Sequence, residues 1–390
     1  MSRVNGFQSM TLSLSGSYRD LNKEILSQIG LASRKKALWN ITLSKTLRPK
    51  LEISESCADA GIGIVLDEEQ SMWTVIKALF GYSPSYDLQE HWSFSKLHIV
   101  AVLRSSPEDY LCSVRHTLTG HMAICRVLRR KIARPHKRVF EMEKKCWHKV
   151  SFCGQVLTCR VYYKTHNLDV FICEYFHGSL LSELLAEGVI QPRIITKIIS
   201  QVAFAICSMH NQGMIFRGVA TQSILVDADG NIRLFDFQFA INKEWSFYPA
   251  GFLPYMAPEM VEGRKAYGPE VDYWSLGILM YELIVRHSPL SIFCWMVGLR
   301  DVRDPEYSML LLAHMPIRLP TNIDPNAKAL MLELLHDNPS LRIGCRRRGF
   351  DELRNHPYFD NVVWESYLDF ARAEKSNVQK ALWFTRGENT

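Results

Sequence analysis

From residue 97 onward the chain changes its hydrophobic rhythm once, from short strand-like runs to long helical ones, and that order narrows the folds open to it. Leu97 to Leu103, Tyr110 to His116 and Gly120 to Leu128 read as three strands in a row, the last headed by a turn glycine. A basic helical segment through Glu141-Met142-Glu143 follows, then two further strands ending at Phe171-Ile172-Cys173-Glu174-Tyr175. Beyond that point Ile194 to His210 carries apolar residues at helical spacing, and Asp272 to Val285, Ile292 to Val297 and Ala327 to Leu335 continue the pattern. The expectation is an α+β chain in two lobes. Residues 95–175 form a small antiparallel sheet with one helix, residues 176–362 a larger, mostly helical lobe, and residues 363–390 a short tail. Residues 1–94 are weakly patterned, and the sequence assigns them no fold.

Composition limits the function classes. The 390 residues are 47% hydrophobic and 22% charged, enough for a substantial buried core. A net charge of +6, from 46 basic and 40 acidic side chains, is too mild an excess to argue for nucleic acid. The ten cysteines form no C-x-x-C pair, which suits reduced thiols in the cytoplasm. No signal core follows Met1, and the apolar run Leu290 to Leu299 is about half the length of a membrane span, so no membrane insertion is expected. The basic runs Arg129-Arg130-Lys131 and Arg346-Arg347-Arg348 are docking surfaces or, as charge runs commonly are, solvated faces.

Chemistry concentrates in Phe216-Arg217-Gly218-Val219-Ala220-Thr221-Gln222-Ser223 and, after it, Asp236-Phe237-Gln238. With Met256-Ala257-Pro258-Glu259, Asp272-Tyr273-Trp274-Ser275-Leu276-Gly277 and Asp337-Asn338-Pro339-Ser340-Leu341-Arg342 in that order, residues 95 to 365 resemble the protein kinases. The wording of Asp272 to Leu283, with Asn355-His356-Pro357-Tyr358-Phe359, is most similar to the cyclic-GMP-dependent branch of the AGC group. The resemblance implies a bilobal kinase-like fold. It does not extend to cyclic-nucleotide binding, because the first 94 residues are too short for a pair of such domains and carry no phosphate cassette.

What the resemblance implies about catalysis is mostly loss. A kinase loop supplies a base, a phosphate-contacting lysine and a second magnesium ligand, and here those positions are Gly218, Ala220 and Ser223. The glycine-rich loop falls on Arg104 to Leu111 and has lost all three glycines, while Pro107 removes an amide donor and Glu108 and Asp109 bring negative charge. Arg126 stands for the strand lysine, with Glu143 as its partner, and that exchange is not conservative at a phosphate site. Asp236 is the one metal carboxylate kept, expected to bind magnesium weakly or to serve as a buried or capping acid. Ile124, Leu225 and Glu174 line the expected adenine position. Phe252 replaces the activation-segment threonine that bonds the lost aspartate and lysine, so a polar set has disappeared together. Leu180 and Gln222 replace two peptide-reading acids, and Glu282 keeps a third.

Architecture is retained. Glu259 and Arg342 match the ion pair beneath the activation segment, Asp272 the acid that braces the loop, and Phe216, Phe237 and Trp147 the hydrophobic column between lobes. Arg217 bonds activation-segment carbonyls or a phosphate on Tyr248 or Ser246. The expected function is that of a pseudokinase, a scaffold or allosteric regulator working through protein partners such as other kinases, with no cofactor required and ATP and magnesium bound weakly. The alternatives are an atypical serine/threonine kinase using Arg126, Asp236 and Glu108 or Asp109, and a cleft holding nucleotide as a structural ligand between Ile124 and Leu225.

Overall fold

The computed structural model describes residues 96–106, 109–129, 137–164, 168–188, 190–263, 265–296 and 316–367. Expectations placed on residues 1–94, on Pro107, Glu108, Arg130 and Lys131, and on the tail beyond Tyr367 lie outside the described residues.

Strand alternation decides which side chains reach the space between the lobes. β1 (Leu97–Ser105), β2 (Asp109–His116), β3 (Met122–Arg129), β4 (Cys159–Lys164) and β5 (Leu168–Cys173) form one antiparallel sheet in the order β1-β2-β3-β5-β4. In β3, Ala123, Cys125 and Val127 join an outer cluster with Ile99, Cys112, Val114, Val170 and Ile172. Ile124 and Leu128 join the inner core with Leu111, Phe171 and Cys173. The period of two therefore puts Arg126 on the inner face. Register extends the row, with Arg104 opposite Leu111 and Leu111 opposite Arg126. Asp109, two residues before Leu111, shares that face.

Helix α1 (Lys137–Lys149) packs beneath the sheet through Glu143, Cys146 and Trp147, and Val150 just past its end is also buried. These positions repeat at helical spacing, so one stripe carries both the apolar contact and the single acid.

The second lobe contains α2 (Leu181–Glu187), α3 (Pro192–His210), α4 (Pro258–Glu262), α5 (Glu270–Val285), α6 (Pro289–Met296), α7 (Pro325–Leu334) and α8 (Phe350–Arg354). The architecture is α+β and bilobal, as expected. A three-stranded sheet of β6 (Ser179–Leu180), β7 (Ile224–Val226) and β8 (Ile232–Leu234) has no sequence signature, because strands of two or three residues are too short to show a period. Helix α3 is long and apolar enough to cross a membrane, yet more than half of it is buried against the rest of the lobe, as befits a core helix. In α5, 14 of 16 residues are buried, so it shows no polar stripe. Its Gly277 allows close approach to α7, since a Cβ there would lie 2.8 Å from Leu335.

Candidate functional site

Five charged side chains converge where the sheet meets the second lobe. Arg126 is fully buried on β3 and sends its guanidinium three ways. Nη1 donates to Glu143 Oε1 at 2.8 Å, Nη2 to Asp236 Oδ1 at 2.6 Å, and Nε and Nη2 to Asp109 at 3.3 Å. Arg104 on β1 donates from Nη2 to Asp236 Oδ2 at 3.0 Å and pairs closely with Asp109. Its Nη1 donates to the backbone oxygen of Gln222 at 2.9 Å. The Arg104 guanidinium also lies 5.1 Å from the centre of the Phe235 ring. Burial works against the charge on Arg126, and Asp109, Asp236 and Glu143 outweigh it, holding its pKa above the usual arginine value.

These contacts cross between the lobes. Asp109, Glu143 and the two arginines belong to the first, while Asp236 and Gln222 belong to the second. Asp236 has no side-chain role as a helix cap and is wholly buried. Its backbone is left-handed, at φ 71° and ψ 65°, which is uncommon outside glycine and costs about 1–3 kcal/mol when the surroundings impose it. The acid of Asp109, which the sequence places toward incoming phosphates, turns to the two arginines instead.

The groups at the two expected metal-ligand positions are already engaged by the chain itself. Both Asp236 oxygens accept from guanidinium groups, so a cation would have to displace arginines already paired there. Ser223, at the second-ligand position, has its hydroxyl 2.5 Å from the Gly218 oxygen and 2.9 Å from the Ala220 oxygen, and accepts from the Ala220 amide at 3.2 Å. It braces the loop. Ile124 and Leu225 are fully buried, and Glu174 Oε1 accepts from the Thr158 amide and from Arg233 Nε, each at 3.2 Å.

Gly218 has no group to orient a hydroxyl, and a Cβ there would meet the Phe216 ring at 3.1–3.3 Å. Ala220 is fully buried, and Phe252 packs edge-on against Phe239 with ring centres 5.1 Å apart. Phe216 contacts Phe237 at 5.1 Å, Phe237 contacts Trp147 at 5.5 Å, and Trp147 contacts Phe171 at 5.0 Å, so an aromatic column joins the lobes. Trp147 Nε1 donates to the Leu157 oxygen at 2.6 Å.

The bracing groups are brought together below the loop. Asp272, in the first turn of α5, accepts from the amides of Phe216 at 2.9 Å and Arg217 at 2.7 Å and lies 2.8 Å from His210 Nε2. Arg342 makes a two-pronged pair with Glu259, at 2.5 and 2.8 Å, and stacks 4.9 Å over Trp274. Arg217 donates to the Phe239 oxygen and the Tyr267 hydroxyl, each at 2.8 Å, with contacts of 3.4 Å to the Tyr248 oxygen and 3.5 Å to Ser246 Oγ. The Tyr248 side chain is exposed. Tyr255 donates to Glu282, and burial pushes the Glu282 carboxyl up to about 7.

Sequence reasoning reached Arg126, Glu143 and Asp236 but missed that Arg104 and Asp109 complete the cluster of five. The available signal was an arginine and an aspartate flanking one hairpin tip on the face that carries Arg126.

The fold and loop define a protein-kinase architecture, and comparison agrees. Residues 110–359 match the protein kinase domain family, and the chain belongs to it. It is similar to ribosomal protein S6 kinase alpha-4 of Homo sapiens, at 33% identity over 169 residues, covering 42% of this chain and 21% of that protein. It is also similar to cAMP-dependent protein kinase type 3 of Saccharomyces cerevisiae, at 29% over 199 residues, covering 50% and 47%. A third relative is protein kinase C zeta type of Oryctolagus cuniculus, at 29% over 171 residues, covering 43% and 28%. The chain thus spans less than half the length of each of these AGC-type relatives.

Proposed function

We propose that this protein is a pseudokinase of the AGC group, nearest the cyclic-GMP-dependent branch in its motif wording, which acts in the cytoplasm as a scaffold or allosteric regulator of protein partners such as other kinases. The observation that carries the reading is the engagement of both Asp236 oxygens by Arg126 and Arg104. Gly218 adds to it, because loss of a positioned base alone typically lowers a rate by about 10²–10⁴-fold. Retention of the Asp272 brace, the Glu259–Arg342 pair and the aromatic column supports a role for shape without transfer. The reading requires no cofactor and no cyclic nucleotide.

A second reading, a weakly active serine/threonine kinase, draws on the assembled Arg126–Glu143 pair and the aromatic column. One experiment separates the two. The purified full chain is melted with and without 1 mM magnesium-ATP, and phosphate incorporation into itself and a basic peptide is followed beside a Gly218→Arg control. A dissociation constant near 10 μM would stabilise the fold by about 2.7 kcal/mol, a rise of roughly 5–11 °C for a domain of this size. The pseudokinase reading expects no such rise and no incorporation above the control. A rise with incorporation supports the second reading. An equal rise with adenosine, and no transfer, identifies nucleotide as a structural ligand between Ile124 and Leu225.

A further inference from the structure

The Arg126–Asp236 pair and the aromatic column join the lobes, and a second arginine adds a contact of its own at the same acid. The geometry points to Arg104 as a built-in cation: we propose that its guanidinium takes the place of a bound metal against Asp236 and clamps the first lobe onto the second without ligand. This rests on the reading that the cleft does not take magnesium-ATP.

Arg104 begins on β1 yet makes three contacts in the second lobe. These are Asp236 Oδ2 at 3.0 Å, the Gln222 oxygen at 2.9 Å, and the face of Phe235 at 5.1 Å. Only a planar fork serves all three, with one nitrogen on a carboxylate, another on a carbonyl, and its flat face toward a ring. Asp109, beside it on β2, pairs with the same guanidinium and with Arg126. Two cations thus face the three carboxylates Asp109, Glu143 and Asp236, so the site still carries the negative charge that in an active relative would attract a metal. The cations that meet it belong to the chain. With Asp236 inaccessible and the Arg104 side chain 17% exposed, these pairs are less screened than surface ones.

The clamp ties two segments together, the β1–β2 tip at Ser105 and Asp109, and the turn Asp236 to Phe239. Hydrogen exchange by mass spectrometry on the full chain tests it, with wild type, Arg104→Met, Arg104→Lys and, as a surface-charge control on the same lobe, Arg115→Met. Arg104→Met should speed exchange in both segments by at least about tenfold, the size expected from losing one charge-assisted hydrogen bond. Arg104→Lys should recover only part of the protection, and Arg115→Met should match wild type. Should Arg104→Met not fold, Asp236→Asn keeps the shape, removes the charge and should loosen the same two segments. Exchange unchanged in the Asp236 turn, or faster only at the hairpin tip, overturns the clamp. Adding magnesium-ATP to the same samples keeps the two ideas apart. If wild type ignores it while Arg104→Met exchanges at the wild-type rate, the clamp fails and the pseudokinase reading stands. If wild type gains protection from it, the reading that the cleft takes no magnesium-ATP fails, and the clamp with it.

Discussion

Replacing Arg126 by methionine tests whether its buried charge is needed for folding. The guanidinium is fully buried and balances Asp109, Glu143 and Asp236, two of them wholly inaccessible. Methionine fills similar space but removes the cation that these three carboxylates share. Removing one partner of a buried ion pair typically costs about 3–5 kcal/mol, because the remaining charge is left uncompensated. For a domain of this size each kcal/mol lowers the melting temperature by about 2–4 °C, so the drop should be roughly 6–20 °C. Differential scanning calorimetry of both proteins measures it, and a drop below about 3 °C would refute the claim that Arg126 balances buried charge.

Three further outcomes follow from other parts of the molecule. The Glu282 carboxyl titrates near 7 because it is buried, above its unfolded value, so its contribution is full at acid pH and lost as pH rises through 7; Glu282→Gln should flatten the stability profile between pH 5 and 8, measured by urea melts, and an unchanged slope would count against it. Gly218→Asp should restore no phosphate transfer and should destabilise by about 1–3 kcal/mol, since its Cβ meets the Phe216 ring; recovery of radiolabel transfer would overturn this. Trp147→Ala should cost about 3–5 kcal/mol, because it removes the centre of the aromatic column and leaves the Leu157 carbonyl without its indole donor; thermal melts showing under 1 kcal/mol would mean the column does not join the lobes.

The motif order from Phe216 to Arg342 made the kinase architecture legible, because each motif answers a local demand. A loop needs its brace, so Asp272 stands at the start of α5 within reach of the Phe216 and Arg217 amides. Strand alternation likewise carries Arg126 to the inner face, where its pairing with Glu143 was anticipated. The short strands β6, β7 and β8 were not legible, since two or three residues hold no period.

Residue identity settled what the chain lacks: no base at Gly218, no amine at Ala220, no glycine hairpin at Arg104 to Leu111. It could not settle what fills the space instead. Arg104 and Asp236 are 132 residues apart, and no local pattern links an arginine on a hairpin to an acid beyond the catalytic loop. Only the packing of sheet on helices brings them to 3.0 Å, and only burial there turns their opposite charges into a pair that water cannot readily loosen.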